Sequence, residues 1–390
     1  MNLLQYFAVG QSNDPIFCND EVSVGAANFD SYLPLLVNKK VALVGNHSSL
    51  VEKTHLVDTL LALEVDLVKI FSPEHGFRGE ADAGEKVNSR QDNKTGLPII
   101  SLYGSHKKPT IDDLQGVEVV VFDIQDVGAR FYTYISTLHL VMEACAEQKI
   151  KLLVLDRPNP NGFYVDGPVL NPAFKSFVGM HPVPIVHGLT VGEYAQMING
   201  ENWLPNELIC DLTVVKCHNW DHSKLYRLPV KPSPNLPNML SVYLYPSLCL
   251  FEGTVVSVGR GTDFPFQVIG HPRYNNSDFS FIPKPTVGAK SPKLEGVKCN
   301  GINFIESGLS VMQNQKQLQL KWFLEFYKDL TLKDRFFLSN NFINLLVGDA
   351  EFKTMVLAGK TEADIRASWE PALANYKKKR KRYLLYMDFE

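Results

Sequence analysis

Short apolar runs alternate with helix-period segments along the first half of the chain, and most of the runs stop on a cluster of polar residues. Residues 41–44 are apolar and end at Gly45, Asn46 and His47, after which Thr54 opens a helical pattern carrying Leu56, Leu60, Leu61 and Leu63. Further runs occupy 67–71, 99–102, 117–122 and 152–155, with a helical stretch at 133–148. Thr190 and Glu193 have the spacing of a capping box at the start of another helix. The runs are apolar at most positions, as strands covered on both faces are. This alternation predicts an α/β fold built on a mainly parallel sheet with helices on both sides.

The pattern changes near Lys231, where Pro232, Pro234 and Pro237 interrupt regular structure, and the stretch 264–285 is rich in Pro, Asn and aromatic residues. Such a stretch suits a long ordered loop or a crossover between domains. Helical patterns then recur at 318–330, 341–346 and 370–382. One core seldom grows to 390 residues, so two domains are expected, 1–238 with the sheet and a smaller α+β domain at 239–390.

Composition removes several function classes. Thirty-nine Lys and Arg against 42 Asp and Glu leave a net charge of -3, without the basic surplus of a nucleic-acid binder. No apolar run approaches the roughly 20 residues of a membrane span, so a soluble protein is expected. Residues 1–11 lack the basic start of a secretory signal. The six cysteines are scattered without a C-x-x-C pair, which fits neither a disulfide scaffold nor a zinc site. No G-x-G-x-x-G follows the first strand, and neither a Walker A sequence nor a G-x-S-x-G elbow is present. The isolated Gly259-Arg-Gly-Thr-Asp263 is too short for a phosphate loop. The basic run from Lys377 to Arg382 closes a helix, where cations complement the dipole.

In open parallel sheets the ligand crevice lies outside the carboxyl ends of the strands. That rule gathers Asn46, Glu74, His75, Asp123, Gln125, Asp126, Arg130, Asp156 and Arg157 along one rim. Charges at buried strand ends are costly unless they pair or bind something. Asp123 and Asp156 serve equally well as helix caps or arginine partners, and Arg157 reads as a bridge to a carboxylate ahead of a ligand anchor. Glu74 stands apart, because Pro73 and Gly76 set a tight turn around it. Glu74, His75, Asp123 and Asp126 also keep metal-assisted hydrolysis open, although nothing has metal-ligand spacing along the chain.

Phe71-Ser-Pro-Glu-His-Gly-Phe-Arg-Gly79 and Phe122-Asp-Ile-Gln-Asp-Val-Gly-Ala-Arg-Phe-Tyr-Thr-Tyr134 resemble the exo-β-N-acetylmuramidase NamZ family. Leu155-Asp-Arg-Pro-Asn-Pro-Asn-Gly162, His187-Gly-Leu-Thr-Val-Gly-Glu193, Pro232-Ser-Pro-Asn-Leu-Pro237, Phe251-Glu-Gly-Thr254 and Arg382-Tyr-Leu-Leu-Tyr386 continue the match. The chain departs from the family at Asn46-His-Ser-Ser49 and at Val255 and Val256, positions of candidate subsite contacts. The resemblance implies a Rossmann-like N-terminal domain, a smaller C-terminal domain and an active site between them. It implies release of N-acetylmuramic acid from non-reducing ends of peptidoglycan fragments, in the periplasm or outside the cell.

Under that resemblance Glu74 is the expected catalytic acid, with Asp123 or Asp126 as second carboxylate, or with Asp126 orienting an attacking 2-acetamido group. Arg130 or Arg157 would hold the lactyl carboxylate of muramic acid, since a guanidinium binds it bidentately. Asn46, His75, Arg78, Gln125 and Asp156 complete the expected binding residues, and Tyr132, Tyr134 and Trp220 are candidate stacking surfaces. The expected partner is a peptidoglycan-derived glycan, with no cofactor, metal or nucleic acid. The competing readings are a metal-dependent hydrolase using Asp123 and Asp126, and a non-catalytic binder of cell-wall sugars.

Overall fold

Alternation within the strands sets the architecture. Val41, Leu43, Val119, Val121, Leu153 and Leu155 pack into one apolar cluster, with Tyr32, Leu36, Leu56 and Leu60. Their neighbours Ala42, Val44, Val120, Phe122, Leu152 and Val154 pack into another, with Leu138, Val141 and Tyr194. Successive strand residues point to opposite faces, so both faces of this sheet are covered. The computed structural model describes residues 17, 22–74, 76–77, 90–275, 278–306, 313–314 and 316–390.

The strands are β1 Val41–Gly45, β2 Leu50–Val51, β3 Thr54–His55, β4 Leu67–Ser72, β5 Arg90–Gln91, β6 Pro98–Ser101, β7 Val119–Asp123, β8 Lys151–Leu155 and β9 Leu212–Val215. The main sheet runs β5-β6-β4-β1-β7-β8-β9. All neighbours are parallel except β5 with β6. Without β5, the chain visits the sheet in the 3-2-1-4-5-6 order of a Rossmann-like fold. Helices α1 Phe29–Leu36 and α2 Leu56–Ala62 cover one face; α3 Tyr134–Gln148 and α4 Val191–Gly200 cover the other. The capping box expected at Thr190 and Glu193 opens α4. Helix α2 starts later than its apolar pattern suggested, because Thr54 pairs in β3 and the His55 ring caps the Val57 N–H at 3.2 Å.

A second, smaller α+β domain follows, beginning with the fully buried helix α5 Met239–Leu248. Three antiparallel strands, β10 Val268–His271, β11 Phe279–Phe281 and β12 Cys299–Asn303, form a sheet in the order β10-β12-β11. Two of these strands lie in the stretch expected to be a loop, since their pairing is non-local and leaves no periodic trace. Gly301 is required here, because a Cβ on it would lie 1.8 Å from the Ile269 carbonyl oxygen. Helices Leu320–Leu330, Phe342–Val347, Glu351–Leu357 and Glu362–Arg380 complete the chain. Among the described residues no helix is long and apolar enough to cross a membrane.

One guanidinium ties the two regions together. Arg130 is fully buried and donates to the carbonyls of Pro168 (2.9 Å), Val183 (2.7 Å), Leu346 (2.9 Å) and Val347 (2.6 Å). Burial pushes its pKa down to about 10, which keeps it charged at neutral pH. Arg130 is therefore a structural clamp and not the substrate anchor that its position near a strand end suggested. Replacing it, as Arg130→Met, strands four buried carbonyl groups and should cost about 3–5 kcal/mol. Urea unfolding measures this, and an unchanged midpoint would show that the clamp carries no load.

Candidate active site

The order of the main sheet reverses between β1 and β7, where a crevice is expected. Protein fills that position. The Asn46 carboxamide oxygen accepts from the Ser48 N–H (2.9 Å) and hydroxyl (2.6 Å), and the Ser49 hydroxyl donates to the Asp123 carbonyl (2.5 Å). The Ser48 hydroxyl in turn accepts from the Gln125 N–H at 3.0 Å. The Gln125 amide donates to the carbonyls of Asp126 (2.9 Å) and Pro158 (2.8 Å), bridging the ends of β7 and β8. Asn46 and Gln125, expected to touch substrate, thus close the strand ends against each other.

Asp123 and Arg157 are corrected in the same way. Arg157 grips both carboxylate oxygens of Asp123, at 2.6 and 2.8 Å, and gives a further bond to the Leu50 carbonyl at 2.9 Å. Both side chains are out of solvent. Burial and this pairing, together with the absence of both side chains from the crevice wall, take the carboxylate away from a sugar or a metal and the guanidinium away from a lactyl group. The reading of Asp123 and Asp126 as a metal pair loses its first member.

Asp156 is also consumed. Its oxygens accept from the Gly192 N–H (2.8 Å), the Thr190 hydroxyl (2.7 Å) and the Tyr386 hydroxyl (2.7 Å). It thereby caps α4 and fastens the C-terminal segment to the end of β8. Burial, with the charge of Glu193 nearby, pushes its pKa up to about 6 against those hydrogen bonds.

Asp126 is different. One oxygen accepts from the Gly128 N–H at 2.6 Å, while the other is buried without a partner. Burial pushes its pKa up to about 7. The His187 Nε2 lies 3.9 Å away, and burial holds that imidazole down to about 3, so it stays neutral. The charge of Asp126 is felt by the phenols of Tyr132, Tyr134 and Tyr194. It stands behind the tyrosines and not on the crevice surface.

The crevice itself lies one strand over, at the end of β4. It is a solvent-open crevice with a volume of about 160 Å³. The sheet side supplies Glu74, Tyr132, Thr133 and Tyr134; the segment after α5 supplies Cys249, Glu252, Arg260 and Phe266. Ser233, Asn235 and Leu236 of the proline-rich stretch form a further edge, joined by Phe342 and Leu346. Glu74 sits in the tight turn its neighbours predicted, with the Gly76 N–H on the Pro73 carbonyl at 3.1 Å and a φ of 73° at Gly76. The Thr133 hydroxyl, just before α3, donates to Glu74 Oε2 at 2.6 Å. Tyr132 donates to the Pro232 carbonyl at 2.8 Å, drawing the proline-rich stretch over the rim.

His75 and Arg78 lie outside the described residues. Trp220 packs edge-on against His222 and Tyr386, away from the crevice. Most of the basic run is spent internally: Lys377 and Lys381 on Glu390, Lys379 and Arg382 on Glu201, and Arg380 on Asp388. Sequence reasoning missed Glu252 and Arg260, which form a two-pronged pair at 2.9 Å on each prong. Burial opposes the charged form of Glu252, but Arg260 holds its carboxyl below the usual range. The only local signals were the Phe251-Glu-Gly-Thr254 motif and the short glycine-flanked arginine, which have no meaning until the fold brings them opposite Glu74.

Comparisons with known proteins agree with one another. Sequence models of exo-β-N-acetylmuramidase NamZ match residues 41–240 (N-terminal) and 243–386 (C-terminal). The chain is 40% identical, over 380 residues and 90% of each chain, to the peptidoglycan β-N-acetylmuramidase NamZ of Bacillus subtilis strain 168. Two crystal structures of DUF1343 family proteins from Bacteroides fragilis NCTC 9343 are similar in fold. One has a TM-score of 0.88 at 46% identity, the other 0.79 at 29%, each covering 94% of this chain and 99% of its own.

The Asp126 environment makes stability depend on pH. A carboxyl raised from an unfolded value of about 3.9 binds its proton more tightly when folded. Its contribution is complete below about pH 4 and is lost as pH rises through about 7. Asp126→Asn removes this titration. Its stability relative to the native protein should therefore rise by about 3 kcal/mol between pH 5 and pH 8. Urea unfolding at the two pH values tests this, and a constant difference would mean that Asp126 ionises as an ordinary carboxyl.

Proposed function

The chain belongs to the exo-β-N-acetylmuramidase NamZ family, and we infer that it is an exo-acting glycoside hydrolase releasing N-acetylmuramic acid from non-reducing ends of peptidoglycan fragments. The observation that carries this reading is the position of Glu74. It lines an open crevice whose other wall comes from the smaller domain. Tyrosine faces and small polar groups at Thr133, Ser233 and Asn235 line the same space, as a carbohydrate site requires.

Glycoside cleavage needs an acid at the leaving oxygen and a second participant on the other side of C1. We assign the acid to Glu74, which the Thr133 hydroxyl orients through its Oε2. Asp123 is locked on Arg157 and Glu252 on Arg260. With both clamped, the attack is assigned to the sugar's own 2-acetamido oxygen, closing a ring onto C1 as the aglycone departs with the proton from Glu74. Asp126 supports the tyrosine wall from behind and makes no direct bond to the sugar. A non-catalytic binder would share the crevice but need no acid at this point.

Release of p-nitrophenol from its β-N-acetylmuramide tests the assignment. Glu74→Gln should lower kcat by about 10²–10⁴-fold while the sugar still binds. Full activity in the variant would make Glu74 structural, and binding without turnover by the native protein would favour the sugar-binder reading. A substrate carrying a trifluoroacetamido group should turn over more slowly, since fluorine withdraws electrons from the attacking oxygen. An unchanged kcat would remove the acetamido group from the mechanism.

A further inference from the structure

We propose that Arg260 is the specificity-determining residue that reads the lactyl carboxylate of muramic acid; this rests on the muramidase reading of the crevice. The two arginines at the strand ends are unable to do it. Arg130 is wholly buried on four backbone carbonyls, Arg157 is buried on Asp123 and the Leu50 carbonyl, and neither reaches the crevice wall. Among the described residues, Arg260 is the guanidinium that lines the crevice.

Its geometry suits a carboxylate. Glu252 takes Nε and Nη2, each at 2.9 Å, which leaves Nη1 without a hydrogen bond to the described residues. The Phe266 ring lies 5.0 Å from the guanidinium carbon and supports its plane. The pair alone is neutral, but Lys293 adds a cation behind it. The Lys293 ammonium donates to the carbonyls of Phe251 (3.2 Å), Thr254 (2.5 Å) and Val256 (3.1 Å), gripping the turn that carries Glu252. Glu252, Arg260 and Lys293 together therefore hold one surplus positive charge beside the open Nη1. An anionic substituent on the sugar neutralises that surplus, whereas a neutral N-acetylglucosamine leaves it to water.

Calorimetric binding of free N-acetylmuramic acid and of its lactyl methyl ester to the full-length protein tests this without relying on hydrolysis. At pH 7 the acid should bind the native protein about 30-fold more tightly than the ester. Arg260→Gln should bring the acid down to the level of the ester and leave the ester unchanged. Arg260→Lys, which keeps the charge without the fork, should fall between them, and thermal melts confirm that each variant is folded. Equal binding of acid and ester by the native protein would overturn the proposal, as would an acid preference that survives in Arg260→Gln. Equal weakening of both ligands would overturn it too, because Arg260 would then act only by positioning Glu252. Acid-selective binding that depends on Arg260, without turnover of the chromogenic muramide, would support Arg260 and remove the hydrolase reading alone.

Discussion

A charged guanidinium in a protein interior is tolerable only when most of its donors are paired, and both terminal nitrogens of Arg130 are, on carbonyls drawn from the sheet domain and from the smaller domain. Two of them, Leu346 and Val347, are at the end of the helix Phe342–Val347, where carbonyls lack partners inside the helix. The bond is thus mutually required: the arginine needs acceptors and the helix end needs donors. Phe342 and Leu346 of that helix line the crevice, so the clamp also sets the width of the site. Asp156 provides a second tie by binding Tyr386, and Glu193 a third by accepting from the Leu385 N–H. A cleft between two domains needs such fixed points if its walls are to keep their spacing.

Two carboxylate–guanidinium pairs of the same chemistry have opposite uses here. Asp123 and Arg157 are almost wholly buried, with side chains 0% and 1% exposed, and they plug the reversal point of the sheet. Glu252 and Arg260 each keep 23% of the side chain exposed, and their exposed side is the crevice. A fully desolvated pair is out of reach of any ligand, so it serves the fold. A pair at a wall retains open hydrogen-bonding sites and a local field, which a ligand can meet.

The displacement of the site from the sheet reversal follows from the same packing. The turn at Asn46 and the short β2–β3 hairpin occupy the space that a dinucleotide fills in other sheets of this order. The nearest opening is then at the end of β4, where Pro73 and Gly76 turn the chain and present Glu74 to the start of α3. The fold keeps the rule that strand ends carry the site, but shifts which strand end is open.

Much of this was legible from local pattern. Alternating apolar residues in β1, β7 and β8, the capping box at Thr190 and the turn at Glu74 each depend on neighbours a few positions apart, and each stands in the structure as the pattern implies. The three-stranded sheet and the fates of Asp123, Arg130, Asp156 and Arg157 were not legible, because pairing partners are separated by tens or hundreds of residues. Periodicity determines that a residue faces a core or a rim, since that depends only on backbone geometry. Whether a charge on that rim is spent on the protein or left for a ligand depends on which distant atoms arrive beside it. For Arg130, tied to Leu346, and for Arg260, set against Glu252 on the crevice wall, only the tertiary structure decided.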